Sequence, residues 1–128
     1  MVNPREYVTS SGLRVLGGKS SETNDDLVKN SGAKDVMLHT DAPGSPFVNV
    51  GENPSKDDLK EAAVFCAKYS QDWRNSKNDV VVNKFMRSDM NKSVLMKSGT
   101  WGVKKQEKIK VKKADILKLE KELRSGDE

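Results

Sequence analysis

The sequence predicts an α+β domain: a mostly antiparallel sheet of about seven strands with two packed helices and one short helix. Three observations predict it. Short runs that alternate apolar and polar residues recur along the chain, as half-buried strands require. Most links between those runs are too short for the crossover that parallel pairing needs. Two longer stretches, residues 55–69 and 114–124, carry their apolar residues at helical spacing instead. With 128 residues, a single domain over 1–128 is expected.

Taken in order, Arg5-Glu-Tyr-Val-Thr9 and Leu13-Arg-Val-Leu16 read as strands joined by Ser10-Ser-Gly12, a tight turn by composition. Gly17-Gly18 ends the second. Residues 20–29 read as a short helix whose hydroxyl and acidic residues crowd the N-terminal end, where they satisfy free amides and suit the dipole. Asn30-Ser-Gly32 stops it. Asp35-Val-Met-Leu-His39 and Pro46-Phe-Val-Asn-Val50 are extended runs joined by Ala42-Pro-Gly-Ser45, in which Pro43 fixes φ and Gly44 opens backbone angles closed to other residues. The single histidine, His39, therefore stands at a strand end beside a turn, with Asp41 and Ser45 next to it.

Ser55 suits an N-cap with Asp58 as its capping-box partner. Leu59, Ala62, Ala63 and Cys66 then follow at helical spacing, with Phe65 and Tyr69 widening the apolar face. Cys66 lies on that face and reads as a packed thiol, not a nucleophile. Residues 71–78 read as a polar loop carrying Trp73, and Asp79-Val-Val-Val-Asn83 as a buried strand. Residues 84–92 suit either a helical turn or an irregular excursion. Thr100-Trp-Gly-Val103 and Lys108-Ile-Lys-Val-Lys112 read as a hairpin, with Ile109 and Val111 pointing one way and Lys108, Lys110 and Lys112 the other. A helix over 114–124 closes the chain, and 125–128 are expected to fray.

Charge is distributed unevenly. The net charge is +4, yet residues 83–113 hold ten Lys and Arg against two acidic residues, while 1–82 and 114–128 each sum to −2. Such a block concentrates polyanions, nucleic acid foremost. No apolar run approaches the roughly 18 residues of a membrane span. The first residues, Met-Val-Asn-Pro-Arg-Glu-Tyr, lack the apolar region of a signal peptide, and a cytoplasmic location is expected. One cysteine permits neither an internal disulfide nor a cysteine zinc site.

Three motifs invite chemistry. Gly17-Gly-Lys-Ser20, between a strand and a helix, suggests a P-loop, but the position that needs the loop's first glycine is Leu13. A helix N-terminus with Lys19 beside it can still hold one backbone phosphate. His39 and Asp41, two apart, could share a strand face as base and orienter, yet no nucleophile or metal partner stands near them in sequence. No cofactor motif is present. Of the tryptophans, Trp101 beside Val103 reads as core, leaving Trp73 on its polar loop as the candidate stacking platform for an unpaired base.

With these residues laid out, the chain resembles the NFACT-R family, the RNA-binding domain of the NFACT proteins. Ser11-Gly-Leu-Arg-Val-Leu-Gly17 followed by residues 21–27, with Asn24-Asp25, resembles the family's opening segment. Asp35-Val-Met-Leu-His39 followed by Pro43-Gly-Ser45 resembles its central signature. Glu61-Ala-Ala through Tyr69-Ser70, then Val80-Val-Val82, Lys84, residues 99–103 and Ile109-Lys-Val111, match its helix and C-terminal part. The likeness runs from about Tyr7 to Lys113. Two departures stand out: Gly18-Lys19-Ser20 replaces the family's usual Gly-Arg-Asn, losing a guanidinium fork, and Pro46 replaces the histidine usual after Pro-Gly-Ser.

The resemblance implies RNA binding without catalysis. Relatives engage tRNA on the large ribosomal subunit in ribosome-associated quality control, while stand-alone members are associated with RNA modification. The expected partner is thus tRNA or rRNA, on the ribosome. Lys84, Arg87, Lys92, Lys108, Lys110 and Lys112 are expected to contact phosphates, and Lys19, Asn24, His39, Asp41 and Ser45 to form a more selective polar corner. The rivals are a DNA-binding module using the same basic face, an RNA-processing enzyme centred on His39 and Asp41, and a protein-interaction adaptor on the ribosome.

Overall fold

The computed structural model describes residues 3–92, 96 and 100–126. Along the chain come β1 (Arg5–Val8), β2 (Arg14–Gly17), α1 (Ser21–Lys29), β3 (Val36–Thr40), β4 (Val48–Gly51), α2 (Lys56–Lys68), α3 (Gln71–Ser76) and β5 (Val80–Met86). A 3₁₀ turn (Arg87–Asp89) then leads to β6 (Met90–Asn91), β7 (Gly102–Val103), β8 (Glu107–Val111) and α4 (Lys113–Gly126). Six strands form one sheet in the order β1-β2-β4-β3-β5-β8, and β6 and β7 form a second, two-stranded one. All these pairings are antiparallel, so the α+β class stands.

Local chemistry starts the helices where the hydroxyls lie. Ser20 and Thr23 exchange side-chain and backbone hydrogen bonds across the first turn of α1, and the Ser55 hydroxyl accepts from the Asp58 amide at 3.0 Å. The Asp58 carboxylate accepts from Thr9 at 2.8 Å and Ser11 at 2.6 Å, tying α2 to the β1–β2 turn.

Alternation along the strands builds two cores. Val15, Leu38, Val48 and Val82 face α2 and α4, where they meet Phe65, Cys66, Ile116 and Leu119. Met37, Phe47 and Phe85 face the opposite way, against Leu27 and Val28 of α1 and Met90 of the small sheet. Each such side chain, fully buried, contributes about 1.5–3 kcal/mol over its exposed state. Cys66 is wholly buried, and burial pushes its thiol pKa up to about 12, so it packs as an apolar group.

The structure corrects several expectations. Residues 71–76 are helical, not a loop: the Ser70 hydroxyl caps Trp73, whose indole is 1% exposed and donates to Glu120 at 3.2 Å. Trp73 is therefore core and no stacking platform. Residues 100–103 do not pair with 108–112. β7 pairs with β6 (Met90↔Val103), while β8 takes the open edge of β5 (Val82↔Ile109, Val80↔Val111). The β5 edge offers β8 five registered partners, Val80 to Lys84, whereas β7 pairs over only two residues. The segment 84–92, open to two readings, is strand, then 3₁₀ turn, then strand. The last helix continues to Gly126; of the residues expected to fray, 127–128 lie outside the described ones, as does Gly99 of the family likeness.

Candidate nucleic-acid interface

The β3–β4 turn and the face of the sheet beside it enclose a cavity of about 460 Å³. Its floor is the cross-strand pair His39↔Asn83 on β3 and β5. Phe47, 4.5 Å from the His39 ring between centroids, Phe85 and Trp101 supply apolar walls. The turn holds its shape through backbone geometry. Gly44 has φ +86°, and a Cβ there would stand 2.8 Å from Gln71 Cβ; its carbonyl accepts from the Gln71 amide at 2.7 Å. Within the turn, the Thr40 hydroxyl donates to the Ala42 carbonyl at 2.6 Å and the Thr40 amide donates to the Ser45 hydroxyl at 3.0 Å.

The residues of the expected polar corner divide between holding the turn and lining the cavity, with Lys19 exposed beside them. Ser45 spends its hydroxyl inside the turn. Asn24 accepts from the Phe47 amide at 2.9 Å, and a Cβ on Gly18 would overlap its Oδ1 at 1.8 Å, which explains the glycine. Lys19 is exposed at the start of α1. His39 is half-buried, and its Nδ1 lies 2.7 Å from the Thr40 carbonyl, which can only accept. Nδ1 therefore carries the proton and Nε2 the lone pair. Burial holds the imidazole pKa below its ordinary value, outweighing the Thr40 contact.

Asp41 does not orient His39. Its carboxylate takes Lys108 at 2.9 Å and Asn83 at 3.2 Å, and these hydrogen bonds hold its pKa below the usual range. The base–orienter arrangement is thus not assembled.

The cations divide by strand parity. Lys108 and Lys110, opposite Asn83 and Val81, share the His39 side of the sheet, and Lys112 is exposed just beyond. Lys110 lies 3.6 Å from Asp79. Lys92 stands on the same side, 2.9 Å from Asp25 and 5.1 Å from the Trp101 ring. Arg87 lies 5.1 Å from that ring too, but its Nε donates to the Val28 carbonyl at 2.8 Å, so it also holds α1. Lys84 is the exception. It shares parity with Val80 and Val82, faces the α2–α4 side, and sits 3.7 Å from Glu107. Sequence parity alone could have separated it from the lysine row.

The α2–α4 side has the opposite character. A groove of about 400 Å³ between the helices is lined by Asp57, Glu61, Asp115 and Glu122 against Lys60 and Lys118. At its edge the Tyr7 hydroxyl donates to Glu61 at 3.3 Å, and burial first, then the nearby carboxylate, push its pKa up to about 12. Four carboxylates against two ammonium groups leave this groove net acidic.

Two residues escaped sequence reasoning. Asp25 accepts from both Lys92 and the Trp101 indole (2.9 and 3.0 Å), tying the small sheet to α1. Asn83, 7% exposed in the cavity floor, gave no signal beyond ending a valine-rich strand. Among the described residues no helix is long and apolar enough to cross a membrane.

Comparison with known proteins places the chain. Over 67 residues it is 37% identical to the Rqc2 homolog RqcH of Bacillus subtilis, covering 51% of this chain and 12% of that protein. Over 73 residues it is 29% identical to the archaeal Rqc2 homolog aRqcH of Methanocaldococcus jannaschii, covering 54% and 11%. The chain thus spans about a tenth of the length of these curated relatives. The solved C-terminal part of the fibronectin/fibrinogen-binding protein from Streptococcus suis superposes with a TM-score of 0.78 at 25% identity, covering 88% of this chain and 46% of that one. Residues 3–105 match the family described as NFACT protein RNA binding domain, and with that match over most of its length this chain belongs to that family.

Proposed function

We propose that this chain is a non-catalytic RNA-binding module that receives tRNA, or a structured segment of ribosomal RNA, across the His39 face of its sheet. The observation that carries the reading is the sidedness of charge: Lys108, Lys110 and Lys92 flank the His39 cavity, while the opposite groove is acidic. The likeness to two Rqc2 homologs supports a cytoplasmic role beside the ribosome, in quality control. Lys19, Lys112 and Arg87 extend the phosphate-binding surface. Asn24 and Ser45 shape the cavity rather than touch RNA, and Lys84 falls outside the footprint.

Competition at moderate salt tests the reading against DNA: tRNA should displace a labelled RNA far better than duplex DNA does, because RNA offers 2′-hydroxyls and unpaired bases. Equal displacement would favour the DNA-binding rival. Incubating tRNA with the protein, with and without divalent metal, should leave the strand intact. Cleavage that disappears in His39→Ala would restore the enzymatic rival.

A further inference from the structure

The paired residues of the cavity floor, His39 and Asn83, each keep one hydrogen-bond acceptor uncommitted. Asp41 can only accept, so the Asn83 amide turns its Nδ2 toward that carboxylate at 3.2 Å. Oδ1 is left on the other side, and among the described residues it is the one buried side-chain polar atom without a hydrogen-bond partner. Native interiors rarely leave such a group unsatisfied. Directly across the strands, in register, His39 has committed Nδ1 to Thr40 and keeps a lone pair on Nε2. Trp101 lines this cavity and also the neighbouring groove of Arg87 and Lys92.

We infer that the cavity takes one unpaired RNA base against the Trp101 indole, and that it prefers a base with an exocyclic amine over uracil because the amine donates to Asn83 Oδ1. This rests on the RNA-binding reading and adds base selectivity to it. Adenine, cytosine and guanine each carry an amine. Uracil has no amine: its one N–H lies between two carbonyl oxygens and can satisfy one acceptor of the floor, where an amine carries two hydrogens. The cavity is within the size range of small-ligand sites, and a base on the indole sits beside the cations that would hold its phosphate. Oδ1 is covered in the free protein. The amine reaches it when the Asn83 amide turns about its terminal torsion, and Asp41 is not orphaned by that turn because Lys108 remains 2.9 Å away.

Fluorescence anisotropy with labelled oligouridine tests this, using hosts that carry one central adenosine, cytidine or purine riboside. Adenosine or cytidine should bind about tenfold tighter than the all-uridine host, the gain of one hydrogen bond to a buried acceptor. Purine riboside lacks the 6-amino group and should forfeit that gain, a comparison that needs no altered protein. Asn83→Ala, if it folds, should bind all hosts alike. Binding of every host with equal affinity, or an undiminished gain with purine riboside, would overturn the inference alone. Failure of any RNA to bind would overturn the RNA-binding reading and this inference with it.

Discussion

Replacing Lys108 and Lys110 together by Ala removes two cations from the His39 face. Their ammonium groups lie 2.9 Å from Asp41 and 3.6 Å from Asp79, with side chains 62% and 69% exposed. Ion pairs so exposed add little to stability, and each lysine can exchange its carboxylate for a phosphate at small cost. Folding should therefore survive the double replacement, with an unfolding midpoint near that of the parent. RNA affinity should not. Each phosphate left without its lysine lowers the slope of log K against log salt by about 0.7–0.9, so two lower it by about 1.4–1.8. The affinity gap between parent and variant should then narrow by about tenfold between 50 and 200 mM salt. Filter binding of tRNA across that range measures both quantities. Asp41→Asn is the opposing arm: it releases Lys108 from its counter-charge and should strengthen binding. An unchanged slope in the double variant, with weakened or unaltered binding in Asp41→Asn, would refute the assignment of this face.

Gly44→Ala should cost about 2–4 kcal/mol in urea unfolding, combining a left-handed backbone with a Cβ only 2.8 Å from Gln71 Cβ. Adding Gln71→Gly should recover the steric share in a double-mutant cycle and leave the backbone share. Stability should also depend on pH through His39. Its folded pKa lies below the ordinary 6.5, so the unfolded chain binds more protons as pH drops through 6.5. This contribution is complete above 6.5 and fades below it, down to the folded pKa, and His39→Gln should flatten that part of the profile. Finally, tRNA should quench tryptophan emission in Trp73→Phe but not in Trp101→Phe. The reverse pattern would return Trp73 to the interface.

What could be read from residues alone was what depends on near neighbours. The 35–50 hairpin follows from local alternation and the Pro43-Gly44 bend, and it carries His39 to its place. Strand parity likewise sets Lys108 and Lys110 apart from Ile109. Pairing between distant segments was not legible: whether β8 joins β7 or β5 depends on the β5 edge from Val80 to Lys84 lying open in the folded sheet. Trp73 misled for a related reason. A six-residue helix with one large apolar side chain shows no periodicity, and its burial comes from α4, over forty residues away in sequence. Asn83 looked like the polar end of a strand. Its buried, unpaired carbonyl exists only because Asp41 claims the other end of the amide.

One histidine in the chain gives one set of imidazole resonances, and that set reports on the face where RNA is assigned. Titrating labelled protein with tRNA should shift or broaden the His39 ring signal while the amides of Lys60, Glu61 and Lys118, which line the acidic groove, stay where they are. A stationary ring signal beside moving groove amides would put the RNA on the wrong side of the sheet.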